Sequence, residues 1–133
     1  MIRKFHDAKA EGREEVTIWG TGSPRREFLH VDDLADACLY IMQNYGEEEH
    51  INVGTGEDQT IRELAELVAE IVHPGAHLVF DTTKPDGTPR KLLDVTRLHQ
   101  LGWKHSINLP DGIRSSYEWY LENVADQQVK GQK

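Results

Sequence analysis

Hydrophobic positions along the chain fall into two rhythms. The helical one is clearest over residues 60–73, where Ile61, Leu64, Ala65, Val68, Ile71 and Val72 form one stripe behind Thr60-Ile61-Arg62-Glu63, a capping-box pattern. A second helical run starts at Asp32, read as its N-cap, and carries Leu34, Ala37, Cys38, Ile41, Met42 and Tyr45. A third occupies residues 1–12, with Ile2 and Phe5 on one side and Gly12 as its stop. Asn108 caps a last helix whose Leu109, Ile113, Tyr117 and Leu121 should face inward, and a short helix closed by Gly102 precedes it. Short apolar runs predict strands at 15–20, 26–31, 50–53 and 77–80, with a turn-rich loop from Asp81 to Pro89. These elements describe a mixed α/β fold.

Charge narrows the possibilities. The 133 residues carry a formal net charge of −8 with 29% charged residues, so a general nucleic-acid surface is excluded and the local cations stand out. Arg25, Arg26, Arg90 and Lys91 in an acidic chain suit a small anion. The single cysteine, Cys38, lies at an apolar helical position and is expected as a buried thiol. It rules out a disulfide framework within one chain and points to the cytoplasm. No apolar run approaches the roughly 18 residues of a membrane span, so no membrane partner is expected.

The candidate chemistry centres on residues 19–33, where a strand ending in Trp19 runs through a Gly/Ser/Pro turn into Arg25-Arg26. Strand alternation sends the two arginines to opposite faces, so one of them is expected to meet a ligand, with Trp19 available to stack on a base or sugar. The 81–91 loop brings Asp86, Arg90 and Lys91, an acid for sugar hydroxyls and two cations for phosphate. Residues 50–81 imitate a dinucleotide-binding β-α-β unit, yet Gln59 stands where a third glycine belongs and Thr60, rather than a glycine, opens the helix. His30 and Asp32 share a strand face without a third metal ligand, and no nucleophile–base pair can be defended, so neither metal-binding nor catalytic residues are assigned.

Four blocks carry a resemblance: residues 16–35 (VTIWGTGSPRREFLHVDDLA), 50–56 (HINVGTG), 60–65 (TIRELA) and 80–95 (FDTTKPDGTPRKLLDV). Together they closely resemble the GDP-L-fucose synthases, the GDP-4-keto-6-deoxy-D-mannose epimerase-reductases of the extended short-chain dehydrogenase/reductase family. The resemblance implies GDP-sugar contacts from Lys4, Trp19, Arg26, Asp86 and Lys91, and, for the family, epimerisation followed by NADPH reduction of a sugar ketone. The family's glycine-rich cofactor loop and its catalytic Ser and Tyr-x-x-x-Lys do not occur here; Tyr117 is followed four residues on by Leu121, and Tyr40 by Asn44.

The resulting expectation is the carboxyl-terminal, substrate-binding part of an NAD(P)-binding Rossmann-like enzyme that lacks its amino-terminal cofactor domain. On this expectation residues 1–124 bind the nucleotide sugar around a remnant Rossmann sheet edge, and 125–133 form a polar tail. The chain alone would then be an inactive fragment that binds no NADP. Its partners would be a GDP-sugar, the absent cofactor domain and, through uncovered apolar faces, a second copy of itself.

Overall fold

The computed structural model describes residues 1–125, so the expected tail lies outside the described residues from position 126 onward. Ten regular elements follow in the order α1 (Ile2–Ala10), β1 (Glu15–Trp19), β2 (Arg25–Glu27), α2 (Val31–Asn44), β3 (Asp58–Thr60), α3 (Ile61–Val72), β4 (His77–Asp81), β5 (Arg90–Lys91), α4 (Thr96–Leu101) and α5 (Leu109–Tyr120). A π-helical turn over Leu121–Ala125 extends α5.

Two small sheets organise these elements. β1 and β4 pair in parallel, Val16 opposite Leu78 and Ile18 opposite Phe80, and the connection between them includes α3. β2 is the centre of a three-stranded sheet of order β3-β2-β5, antiparallel to β3 and parallel to β5. The main core lies where α3 meets α1, α5 and β1: Phe5, Val16, Val68 and Val72 are fully or almost fully buried there. A smaller core gathers Ala37, Leu98 and Trp103 between α2 and α4.

Local chemistry accounts for the helix ends. The Thr60 hydroxyl accepts from the Glu63 amide at 3.0 Å while Glu63 Oε2 accepts from the Thr60 amide at 2.7 Å, so the capping box is formed in both directions. Asn108 caps α5 through the Asp111 amide. α4 closes at Gly102 in the left-handed region, φ +107°, and a Cβ there would stand 2.9 Å from the Tyr40 hydroxyl.

Several expectations are corrected. Residues 50–53 are no strand; Ile51 and Val53 pack against the smaller core from an irregular segment. His30, rather than Asp32, caps α2, its Nδ1 accepting from the Asp32 amide at 3.2 Å. Cys38 is exposed, because the Leu34–Cys38–Met42 stripe faces outward while Ala37 faces the core. Leu121 is also largely outside the core. The α/β class stands, and the expectation of a chain without the cofactor fold is corrected: β1 and β4 form a parallel pair whose connection includes α2 and α3, the β-α-β arrangement of a Rossmann-like fold.

Candidate functional site

The β3-β2-β5 sheet separates its charges by face. Arg25, Glu27, Asp58 and Arg90 project to one side, Arg26, Gln59 and Lys91 to the other, because register partners in neighbouring strands share a face. On the first side every charge is met. Arg25 Nε donates to Asp58 Oδ1 at 2.7 Å, and Arg90 Nε donates to Asp58 Oδ2. The hydrogen bonds from Arg90 and then Arg25 hold the Asp58 carboxyl below the usual carboxylate range. Glu27 accepts from the Gly56 amide at 2.6 Å, the Thr55 hydroxyl at 3.2 Å and the Leu93 amide at 3.1 Å. Gly54 is needed for that approach, since a Cβ there would lie 2.4 Å from Glu27 Oε1. The Gly54-Thr55-Gly56 turn is therefore wrapped around a carboxylate of its own chain.

The second side is different. Arg26 is half-buried, and its Nη1 donates to the Arg25 carbonyl at 2.7 Å. Among the described residues neither Arg26 nor Lys91 forms an ion pair. Their strands place them side by side as register partners, with Gln59 opposite Arg26 on β3. A cavity of about 280 Å³ opens beside this row, lined by Arg26, Phe28, Gln59 and His105 among others.

The 81–89 loop is tied down onto the turn after β1. Asp86 Oδ1 accepts from the Thr21 amide at 2.9 Å and Oδ2 from the Thr21 hydroxyl at 2.7 Å. The hydroxyl first, and then the amide, hold the Asp86 carboxyl low. Gly20, φ +82°, makes this possible, since a Cβ there would sit 2.3 Å from Asp86 Oδ1. At the loop's far end the Arg25 amide donates to the Pro89 carbonyl at 2.8 Å, and Gly87 lies close to Arg26 Nη2. Trp19 is 69% exposed at the end of β1, with Lys84 Nζ 5.9 Å from its ring centre.

Of the five residues named from the sequence, Arg26 and Lys91 are register partners on the sheet and Asp86 precedes Gly87, which lies beside Arg26; Trp19 ends β1, next to the Gly20 that Asp86 packs against. Asp86 spends its carboxylate on Thr21. Lys4 is exposed on α1, and among the described residues no hydrogen bond or ion pair joins it to the other four. Sequence reasoning missed Lys84, Gln59 and Asp58. Lys84 carried a signal, a cation in the same loop as Lys91; the other two become visible only through strand pairing. Among the described residues no group of three or more His, Cys, Asp or Glu could hold a metal ion, and no helix is long and apolar enough to cross a membrane.

Comparison with known proteins gives this geometry a setting. The sequence model of the NAD dependent epimerase/dehydratase family matches residues 1–54. GDP-L-fucose synthase 1 of Arabidopsis thaliana is 56% identical over 127 residues, 96% of this chain and 39% of that protein. A GDP-mannoheptose C4 reductase from Campylobacter jejuni, solved with NADP bound, is 46% identical with a TM-score of 0.79 over 90% of this chain and 43% of its own. A GDP-L-fucose synthetase from Naegleria fowleri bound to NADP superposes with a TM-score of 0.85 at 28% identity, over 92% of this chain and 39% of its own.

The chain is thus similar in sequence to GDP-L-fucose synthases and in its Rossmann-like α/β fold to solved nucleotide-sugar reductases, and it spans about two-fifths of the length of the relatives it matches. These findings correct the reading of a carboxyl-terminal remnant. The match of the NAD dependent family model to residues 1–54, and the cover of most of the chain by NADP-bound relatives, overturn the expectation that the chain lacks the cofactor fold. With it go the inactive fragment, the exclusion of NADP and the absent cofactor domain as partner.

Proposed function

We propose that this chain serves a GDP-L-fucose-synthase-like epimerase/reductase, and that its open sheet face grips the diphosphate of a GDP-sugar. The reading rests on one observation above all, the row Gln59–Arg26–Lys91, whose cations form no ion pair among the described residues, while the charges of the opposite face are ion-paired or hydrogen-bonded. Guanidinium and ammonium groups left open on one face are matched to phosphate oxygens. Trp19 would stack on the base, steered by Lys84 and by the loop that Asp86 latches. Asp86 then acts by holding the loop through Thr21, and a role for Lys4 on α1 rests on the resemblance alone. Residues 1–124 form the binding unit in this reading, and Cys38 as the lone cysteine fits a cytoplasmic setting.

NADP enters as the cofactor of the solved relatives. Arg26, Lys91 and Trp19 are given to the GDP-sugar in this reading, and Gly54-Thr55-Gly56 offers a dinucleotide little, since the Gly56 amide and Thr55 hydroxyl are given to Glu27. When bound, NADPH supplies hydride to a sugar ketone; the residues described here bind and orient.

A second reading, reduction at C4 of another GDP-sugar, is raised by the 46% identity to the GDP-mannoheptose C4 reductase, which stands below the 56% identity to the fucose synthase. Calorimetry with GDP, UDP and GDP-mannose, followed by NADPH titration monitored through tryptophan fluorescence, tests the proposal. Binding of the guanine ligands in preference to UDP is expected. No binding, or UDP preference, would contradict it.

A further inference from the structure

Lys91 stands on a strand too short to fix it alone. β5 consists of Arg90 and Lys91, both exposed, and so short a pairing is marginal by itself. Its neighbour Arg26 carries the same sign of charge, and register partners lie roughly 5 Å apart, so the two cations push each other away until an anion binds. Upstream the segment is tied to β2 by the Arg25 amide, which donates to the Pro89 carbonyl at 2.8 Å, and to β3 by the Arg90–Asp58 ion pair. Downstream the Leu93 amide donates to Glu27 Oε2 at 3.1 Å, and the Asp94 carbonyl accepts from Asn52 Nδ2 at 3.0 Å. Of these two downstream ties, the one to Glu27 reaches the strand that carries Arg26.

The other carboxylate oxygen of Glu27 is committed elsewhere. Oε1 accepts from the Gly56 amide at 2.6 Å and from the Thr55 hydroxyl at 3.2 Å. Gly54 packs so closely that a Cβ there would lie 2.4 Å from Oε1 and 2.9 Å from Oε2, which leaves the group no room to swing aside. All three of its partners are donors, so an acceptor is required at both oxygens and the ionised carboxylate meets that need. A glutamine meets it at one oxygen only: with its carbonyl kept at the turn, its NH2 would face the Leu93 N–H, donor against donor. We propose that Glu27 is a positioning residue for the Arg26–Lys91 pair. Braced by the Gly54-Thr55-Gly56 turn, its carboxylate holds the Leu93 amide and so keeps Lys91 beside Arg26, on the face opposite to its own. The role rests on the GDP-sugar reading above.

The test is a double-mutant cycle read by calorimetry with GDP on the full chain: wild type, Glu27→Gln, Lys91→Ala and the two combined, with thermal melts to verify folding. Glu27→Gln should weaken GDP about five- to tenfold in the wild-type background. Once Lys91 is alanine the same change should cost less than about twofold, because the cation it positions is gone. A purely structural Glu27 would lose the same factor in both backgrounds, and that result overturns the proposal, as does an unchanged affinity in Glu27→Gln. Should Glu27→Gln fail to fold, Leu93→Pro removes the same hydrogen bond from the donor side; it should show the same loss and the same dependence on Lys91, and wild-type affinity there overturns the proposal. If the wild type binds GDP but Lys91→Ala binds it equally well, the positioning role falls while the rest of the GDP-sugar reading stands. No binding by the wild type would overturn that reading and the role of Glu27 with it.

Discussion

The two faces of β2 are built from neighbouring residues of the same type and do opposite work. Arg25 is spent on structure, sharing the nearly buried Asp58 side chain with Arg90 and so stitching β2 to β3 and to the start of β5. Arg26, one residue on, forms no ion pair among the described residues, and neither does Lys91 at its side. A charge that is already neutralised has little to offer a ligand, while a pair of cations held together without counter-charge repel each other until an anion arrives. The contrast assigns stability to one face and recognition to the other.

Substitutions can break that division. The largest effect is expected from Asp58→Ala, which strips the partner from two guanidinium groups and frees the end of the 81–91 loop; it should lower the melting temperature and the GDP affinity together. A variant that melts like wild type would show that the clamp is ornamental. Arg26→Ala should reverse the pattern: a loss of about 1.5–3 kcal/mol in GDP binding, with the melting temperature nearly unchanged. Gly20→Ala is expected to cost roughly 1–2 kcal/mol of stability, because alanine must adopt φ +82° and its Cβ collides with the latched Asp86. Denaturant titration reads that loss directly.

Acid unfolding sharpens the comparison further. Folding holds the carboxyls of Asp58 and of the buried Asp33 below their usual range. Asp33 is pushed upward by burial, but the Ile107 amide and the Ser106 amide and hydroxyl together outweigh it. Groups depressed in this way stabilise the fold above their unfolded value near 4 and lose that contribution as pH falls through the folded one. Stability should therefore be flat from neutral pH to about pH 5 and then decline, and Asp58→Asn should flatten the decline. An acid limb identical to wild type would remove Asp58 from the account.

Much of this was legible in residue order. The capping box at Thr60 and Glu63, the α3 stripe and the opposite pointing of Arg25 and Arg26 all follow from local spacing, and the structure has all three. What failed depended on distant partners. The alternation of Ile51 and Val53 looked like a strand, but those side chains are satisfied by Leu98 and Trp103 without any strand to pair with. Asp32 had the chemistry of an N-cap, yet His30 takes that place and Asp33 reaches across to Ser106 and Ile107. An apolar helical stripe likewise says nothing of which side meets the core, which is why Cys38 was misplaced. Gln59 and Asp58 gained meaning only when β3 was laid against β2.

The most direct test is a crystal structure of the chain with GDP. The account predicts diphosphate oxygens within about 3 Å of the Arg26 guanidinium and the Lys91 ammonium, with the Arg25–Asp58–Arg90 cluster undisturbed. A diphosphate bound to Arg25 or Arg90 with Asp58 displaced, or held at any site that leaves Arg26 and Lys91 in solvent, would contradict it.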